Sequence, residues 1–260
     1  MSDSASRPEL RIEPRGPVLW LTIDREERRN AMSQGVLAGM AQAIEAAQAD
    51  RSLRAIVVTG VGQKAFCAGA DLQAAQAFTS DYSEPYGHLA RLLRQARASN
   101  LPLVARVNGV CMAGGMGLLA MCDLAVAASH AVFGLPEVKV GVFPAQVLSV
   151  LQHLVPRRRL AEMCLTGEPL TAAQALEYGL VNHVDDDVDA KLEWLLQRLL
   201  DKSPAALRRG LYTMKRIESM TFEESMAFTE SQIALFTLTE DAKEGQQAFR
   251  QKRKPQWTGR

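Results

Sequence analysis

The segment NGVCMAGGMGLLAMCD, residues 108–123, sets Gly114, Gly115 and Gly117 within four positions, with no Asp, Glu, His, Lys or Arg between Asn108 and Asp123. A glycine-rich start to an apolar helix leaves the first backbone N–H groups without internal partners. They sit at the positive end of the helix dipole, with no Cβ to hold a ligand away. In apolar surroundings such donors can hold an oxygen that becomes negative during a reaction. Close packing through small residues is the competing explanation, and this stretch alone leaves both open. A dinucleotide site is disfavoured, since no G-x-G-x-x-G is present. A second small-residue turn, KAFCAGADL (64–72), follows the apolar run LRAIVVTG (53–60) and offers another N–H near Ala70. Two such turns can converge on one carbonyl oxygen. A candidate acid/base group is Glu137, bracketed by Val132, Phe133, Leu135 and Val138. Apolar surroundings raise a carboxyl pKa toward the range useful for proton transfer; a surface glutamate after Pro136 is the alternative.

These residues need a scaffold. VLWLTI (18–23), LRAIVVTG (53–60), LPLVARVNG (101–109) and DLAVAA (123–128) read as strands. Their apolar runs are continuous rather than alternating, so both faces are covered. Between them, Ser33 caps a helix with Val36, Leu37, Met40, Ile44 and Ala47 at helical spacing, and Leu89, Leu92, Leu93 and Ala96 mark another. Strands alternating with helices indicate an α/β domain. Beyond about residue 155 the pattern is helical. Thr171 and Gln174 form a capping box closed by Gly179, residues 187–200 are amphipathic, and Pro204 opens a further helix. Thr221 and Glu224 form a second box that opens one long helical tail to about Lys252. The stretch QAAQAFTSDYSEPYG (73–87) reads as a mobile loop.

Composition narrows the partners. Thirty basic and 29 acidic side chains in 260 residues leave a net charge of +1, which gives no electrostatic footing to a nucleic-acid or membrane partner. Cys67, Cys111, Cys122 and Cys164 form no C-x-x-C pair, which argues against a zinc site. Free thiols fit a reducing, cytoplasmic setting. The N-terminal residues lack the apolar run of a signal peptide, and no window is apolar enough for a membrane span. Asp71 and Asp123 read as turn-closing groups and Glu162 as a solvated one, while His88 stands near the loop where it could face a substrate.

AFCAGADL, NGVCMAGGMGLLAMCDLAVA, FGLPEVKVG and the tail EGQQAFRQKRKPQW, with RRNAMS (28–33) and LTGEPLTAAQALEYGLVNHV (165–184), together resemble the crotonase family, the enoyl-CoA hydratase/isomerase superfamily, in order over nearly the whole chain. The resemblance implies a crotonase-like α/β spiral of repeated ββα units over residues 1–195 and a helical trimerisation region over 196–260, with trimers able to pair into hexamers. It implies an acyl-CoA thioester as substrate, with coenzyme A belonging to the substrate and no separate cofactor or metal. By position, the N–H groups of Ala70 and Gly114 would form the oxyanion hole for an enolate. Arg28, Ala31, Ala68, Asp71 and Leu72 would neighbour the CoA, and Phe249 and Lys252 would reach it from the tail, sometimes from an adjacent subunit.

Family hydratases carry two glutamates; the first falls here on Gly117 and the second on Glu137. One carboxylate can serve as both base and acid if it takes a proton from water and passes it on. Hydration of a 2-enoyl-CoA by Glu137 alone is therefore the leading expectation. Conversion of a 3-enoyl to a 2-enoyl-CoA follows, and a non-catalytic CoA- or RNA-binding member is the remotest. Phe143, Pro144, Ala145 and Gln146 replace a glycine-rich turn of many family hydratases, which alters the wall beside Glu137.

Overall fold

The computed structural model describes residues 8–71 and 83–260. The chain begins with β1 (Leu10–Arg15) and β2 (Val18–Ile23), then α1 (Gln34–Ala49), β3 (Ala55–Gly60), β4 (Ala65–Cys67) and α2 (His88–Ala98). It continues through β5 (Leu103–Val107), β6 (Val110–Met112), α3 (Gly114–Ala120), β7 (Leu124–Ala128), β8 (Val132–Gly134), α4 (Ala145–Leu151) and α5 (Arg157–Thr166). Then come β9 (Leu170–Thr171), α6 (Ala172–Glu177), β10 (His183–Asp185), α7 (Val188–Leu200), α8 (Pro204–Ile217), α9 (Phe222–Thr237) and α10 (Glu240–Arg250).

Two sheets result. The larger has the order β1-β2-β3-β5-β7-β10, antiparallel at β1·β2 and parallel elsewhere. The smaller has the order β4-β6-β8-β9, parallel except at β8·β9. The repeat is visible as three passes: β3-β4-α2, β5-β6-α3 and β7-β8-α4 each put one strand in the large sheet, one in the small sheet, then a helix. The four strands expected from apolar runs are all present. Those of the small sheet and β1 were not legible, because two- or three-residue strands and a polar edge strand carry no periodicity.

The continuous apolar runs are explained by cover on both faces. Ile56 and Val58 point into one core with Val36, Met40 and Ile44 of α1. Ala55, Val57, Val104 and Val126 point into another, against Val188, Leu192, Leu195 and Leu196 of α7. Each such fully buried aliphatic side chain stabilises by about 1.5–3 kcal/mol. Asp187 caps α7, accepting from the Ala190 N–H at 2.9 Å. The residue 195/196 division falls inside α7, which is one continuous helix on the sheet.

The expected single helical tail is instead two helices. The chain breaks at Leu238–Thr239, where the Thr239 hydroxyl accepts from the Ala242 N–H at 3.0 Å and starts α10. A hydroxyl at this position competes for the backbone and favours a new cap over continuation. Both expected capping boxes, at Thr171 and Thr221, are formed. Residues 73–82 of the expected mobile loop lie outside the described residues, and 83–87 lead through turns and bends into α2.

Candidate active site

Three adjacent strands of the small sheet run parallel and deliver the three candidate groups from the same end. Ala70 lies three residues beyond Cys67 of β4, Gly114 two beyond Met112 of β6, and Glu137 three beyond Gly134 of β8. Sites at the carboxyl ends of parallel strands are a general consequence of this architecture, since loops there can be varied without disturbing the sheet.

The first two groups are brought close by small residues. A methyl on Gly69 would lie 2.9 Å from the Ala113 Cβ and 3.4 Å from the Gly114 nitrogen, and one on Gly114 would lie 3.8 Å from the Ala70 nitrogen. Ala113 is one of four non-glycine residues with positive φ among the described residues, at φ 52, ψ −124, a strained conformation of the kind found where the chain must turn sharply at a site. Its N–H donates to the Gly134 carbonyl at 2.9 Å, which fixes β6 to β8 at the turn. Among the described residues, neither the Ala70 nor the Gly114 N–H donates a hydrogen bond.

The glycines have separate duties. At Gly115 a methyl would lie 2.3 Å from the Cys67 carbonyl oxygen, so this glycine lets α3 approach β4. At Gly114 the nearest atom would be the Met32 Cε at 2.5 Å, the end of a flexible side chain. At Gly117 a methyl would make ordinary contact with Val147 of α4, at 3.4 Å. Close packing therefore accounts for Gly115, while the N–H of Gly114 is left beside that of Ala70.

The turn 28–32 is seated on the turn 67–71. The Ala68 N–H donates to the Arg29 carbonyl at 3.1 Å, the Met32 N–H to Gly69 at 2.8 Å, and the Asp71 N–H to Met32 at 3.1 Å. Arg25 and Asn30 lock this pairing. Arg25 donates to the Ala31 carbonyl at 2.6 Å and to Asp71 at 2.7 Å, with its guanidinium and the carboxylate both nearly buried. Asn30, fully buried, donates to the Val61 and Ala65 carbonyls at 3.0 and 2.7 Å. Arg28 lies 3.8 Å from Asp71. Thus Arg28, Ala31, Ala68 and Asp71 form one surface, while Leu72 lies outside the described residues. Arg25 and Asn30 were missed; charged and amide residues in DREERRN read as solvated unless their burial is known.

Glu137 stands in a short 3-10 turn, Pro136–Val140, half-buried. Burial raises its carboxyl pKa above the ordinary value. Its Oε2 is buried and, among the described residues, has no hydrogen-bond partner. The same charge helps to raise the thiol of Cys164 on α5, after burial. An unpartnered carboxylate in a partly dry site can accept and return a proton.

Phe249 and Lys252 lie at the end of α10, which packs on α8 and α9, and Phe249 is 87% exposed. Of the secondary candidates, Asp123 pairs with Lys215 at 3.0 Å and accepts from the Leu103 N–H, so it is structural. Glu162 pairs with Arg159 on the surface. His88 begins α2 and is exposed. Val147, whose side chain covers the position of the absent first glutamate, was also missed.

A family model described as enoyl-CoA hydratase/isomerase matches residues 13–260. The chain is 35% identical to a 2,3-dehydroadipyl-CoA hydratase of Escherichia coli K12 over 97% of this chain and 99% of that one. It is 34% identical to a mevalonyl-coenzyme A hydratase of Aspergillus fumigatus, covering 94% and 92%. A crystal structure of enoyl-CoA hydratase from Mycobacterium smegmatis superposes with a TM-score of 0.91 at 33% identity, covering 96% and 99%. The protein belongs to the enoyl-CoA hydratase/isomerase, or crotonase, family. Within that class it is an acyl-CoA-processing enzyme with hydratases among its relatives over the full chain.

Proposed function

We propose that the protein adds water to a 2-enoyl-CoA thioester through one carboxylate and two backbone amides. The observation that carries this reading is the buried Glu137 Oε2, beyond β8, and the N–H groups of Gly114 and Ala70, beyond the neighbouring β6 and β4, all three without a hydrogen-bond partner among the described residues. The thioester oxygen takes its place at the N–H groups of Ala70 and Gly114. The Glu137 carboxylate removes a proton from water as the water oxygen bonds to C3. The C2–C3 π pair moves to form the thioester enolate, whose charge the two amides hold. Protonated Glu137 then returns the proton to C2. One water is added, the enolate collapses, and Glu137 ends ionised. The coenzyme A portion lies along Arg28, Ala31, Ala68, Asp71 and Leu72, and Phe249 and Lys252 approach it from a neighbouring subunit.

A second reading is favoured by one observation: Val147 occupies the side of Gly117, where a second carboxylate would stand. Glu137 alone suffices to carry a proton from C2 of a 3-enoyl-CoA to C4. Loss of the conjugated absorbance of crotonyl-CoA tests hydration, and gain of that absorbance from a 3-enoyl-CoA tests isomerisation. Glu137→Gln should lower the rate on the order of 10³-fold; near-full turnover by that variant rules out the proposed base. Exposed Met214, Phe222, Met226, Ile233 and Leu238 on and beside α8 and α9 support a trimer, which sedimentation measures. Free cysteines, and the lack among the described residues of a helix long and apolar enough to cross a membrane, support a cytoplasmic enzyme.

A further inference from the structure

At the end of the large sheet where β2, β3 and β5 begin lies a cavity of about 860 Å³, roofed by the chain's last four residues. None of its lining residues belongs to the turns after β4, β6 and β8 that deliver the candidate active site. Arg51, Arg54, Arg208, Arg209 and Arg260 line it, and among the described residues no Asp or Glu does. Among the described residues none of the five is paired with a carboxylate, whereas Arg25, Arg106 and Arg253 each are.

The protein's own contacts leave donors over. Arg208 spends its donors on the carbonyls of Gln48, Asp50 and Leu53. Arg209 donates to the Gln232 side chain, and Arg54 through Nη2 to the Lys202 carbonyl. All these acceptors are neutral, so the contacts fix the guanidinium groups without cancelling their charge. The Arg54 Nε is buried and has no acceptor. Burial lowers the Arg54 and Arg208 pKa values; the charge of Asp241 works against this at Arg54 and that of Asp50 at Arg208, while the neighbouring charges of Arg208 and Arg51 respectively add to it. With Asp50 and Asp241 near but not paired with them, five guanidinium groups held together and partly dry leave an excess of positive charge that an anion can complement.

We infer that this cavity binds a small anion carrying a diphosphate group. Two adjacent phosphoryl groups supply the several acceptors that a cluster of planar guanidinium forks engages. Tyr212 and Trp257 also line the cavity, so the diphosphate can arrive free or on a nucleoside. The site is separate from the thioester chemistry proposed for Glu137.

Thermal unfolding of the intact protein in inorganic pyrophosphate, against sodium chloride of equal ionic strength, tests this. A ligand bound to the folded state alone raises the melting temperature with its concentration. Pyrophosphate should stabilise in a saturable way. Arg51→Gln, which removes an exposed side chain, should raise the half-maximal concentration at least tenfold while leaving the KM for crotonyl-CoA unchanged. Arg54→Gln should do the same where it folds. ADP binding more tightly than pyrophosphate assigns the nucleoside source, and equal or weaker binding assigns the free anion. Stabilisation no greater than that from sodium chloride overturns the inference. So does a pyrophosphate effect that Arg51→Gln leaves intact and that coenzyme A abolishes, since that places the anion at the thioester site.

Discussion

Replacing Gly115 by Ala separates the structural from the chemical glycine. The added methyl would sit 2.3 Å from the Cys67 carbonyl oxygen, 3.0 Å from its carbonyl carbon and 3.0 Å from its Cβ. Ordinary contacts lie at about 3.5–4 Å, so α3 and β4 must part by about 1 Å. Both partners are backbone in a fully buried layer, so no rotamer change relieves the clash. Overpacking of this kind costs about 1–3 kcal/mol of stability. The movement acts directly on the distance between the Ala70 and Gly114 amides, because Cys67 precedes one and Gly115 follows the other. A misplacement of about 1 Å lowers turnover on the order of 10²-fold. Gly114→Ala is the control. Its methyl meets only the flexible end of Met32 at close range, at 2.5 Å, and its N–H is retained, so stability should change by less than in Gly115→Ala. The assays are crotonyl-CoA hydration and thermal unfolding on both variants. Wild-type turnover and melting temperature for Gly115→Ala would refute the reasoning, as would a larger stability loss for Gly114→Ala.

The rate should also lose an acid limb in Glu137→Gln. Burial raises the Glu137 pKa, so the base is lost by protonation at a pH above the ordinary glutamate value, and kcat/KM should fall there in the wild type but not in the residual activity of the variant. A carboxyl with a raised folded-state pKa opposes folding once ionised. Glu137→Gln should therefore raise the melting temperature at neutral pH, and the gain should vanish below the ordinary glutamate pKa; differential scanning calorimetry across pH reads both. Asp71→Ala removes the 2.7 Å partner of the nearly buried Arg25, which keeps its 2.8 Å pair with Glu9, and should cost about 1–3 kcal/mol in urea unfolding, with KM rising more than kcat falls. Gly117→Glu places a Cβ in ordinary contact with Val147, at 3.4 Å, and a longer side chain beyond it must pass Val147; the pair Gly117→Glu with Val147→Ala should therefore raise the crotonyl-CoA hydration rate more than Gly117→Glu alone.

Much was legible before any coordinates. The apolar runs of β2, β3, β5 and β7 and the caps at Ser33, Thr171 and Thr221 are local signals, written in a few neighbouring residues and formed as read. Glu137 and the two small-residue turns stood out by their types and neighbours, but the local signal left a surface glutamate and close packing open, and only the family resemblance joined them into one candidate site. The Thr239 break was hidden because helical composition continues across it, and only the cap hydrogen bond marks the end of α9.

What the sequence by itself determined, then, is the four long apolar strands β2, β3, β5 and β7, the capped starts of α1, α6 and α9, and the small-residue turns and lone carboxylate as candidates. Tertiary structure decided which glycine serves packing and which borders the amides, that Arg25 and Asn30 clamp one turn to the other, and that Val147 fills the side of Gly117. It also gathered five arginines from the turn at 51–54, from α8 and from the chain's last residue around one cavity. The physical reason is range. Periodicity and capping act over a few residues along the chain, while close approach, burial and charge depend on segments that meet only when the sheets are assembled.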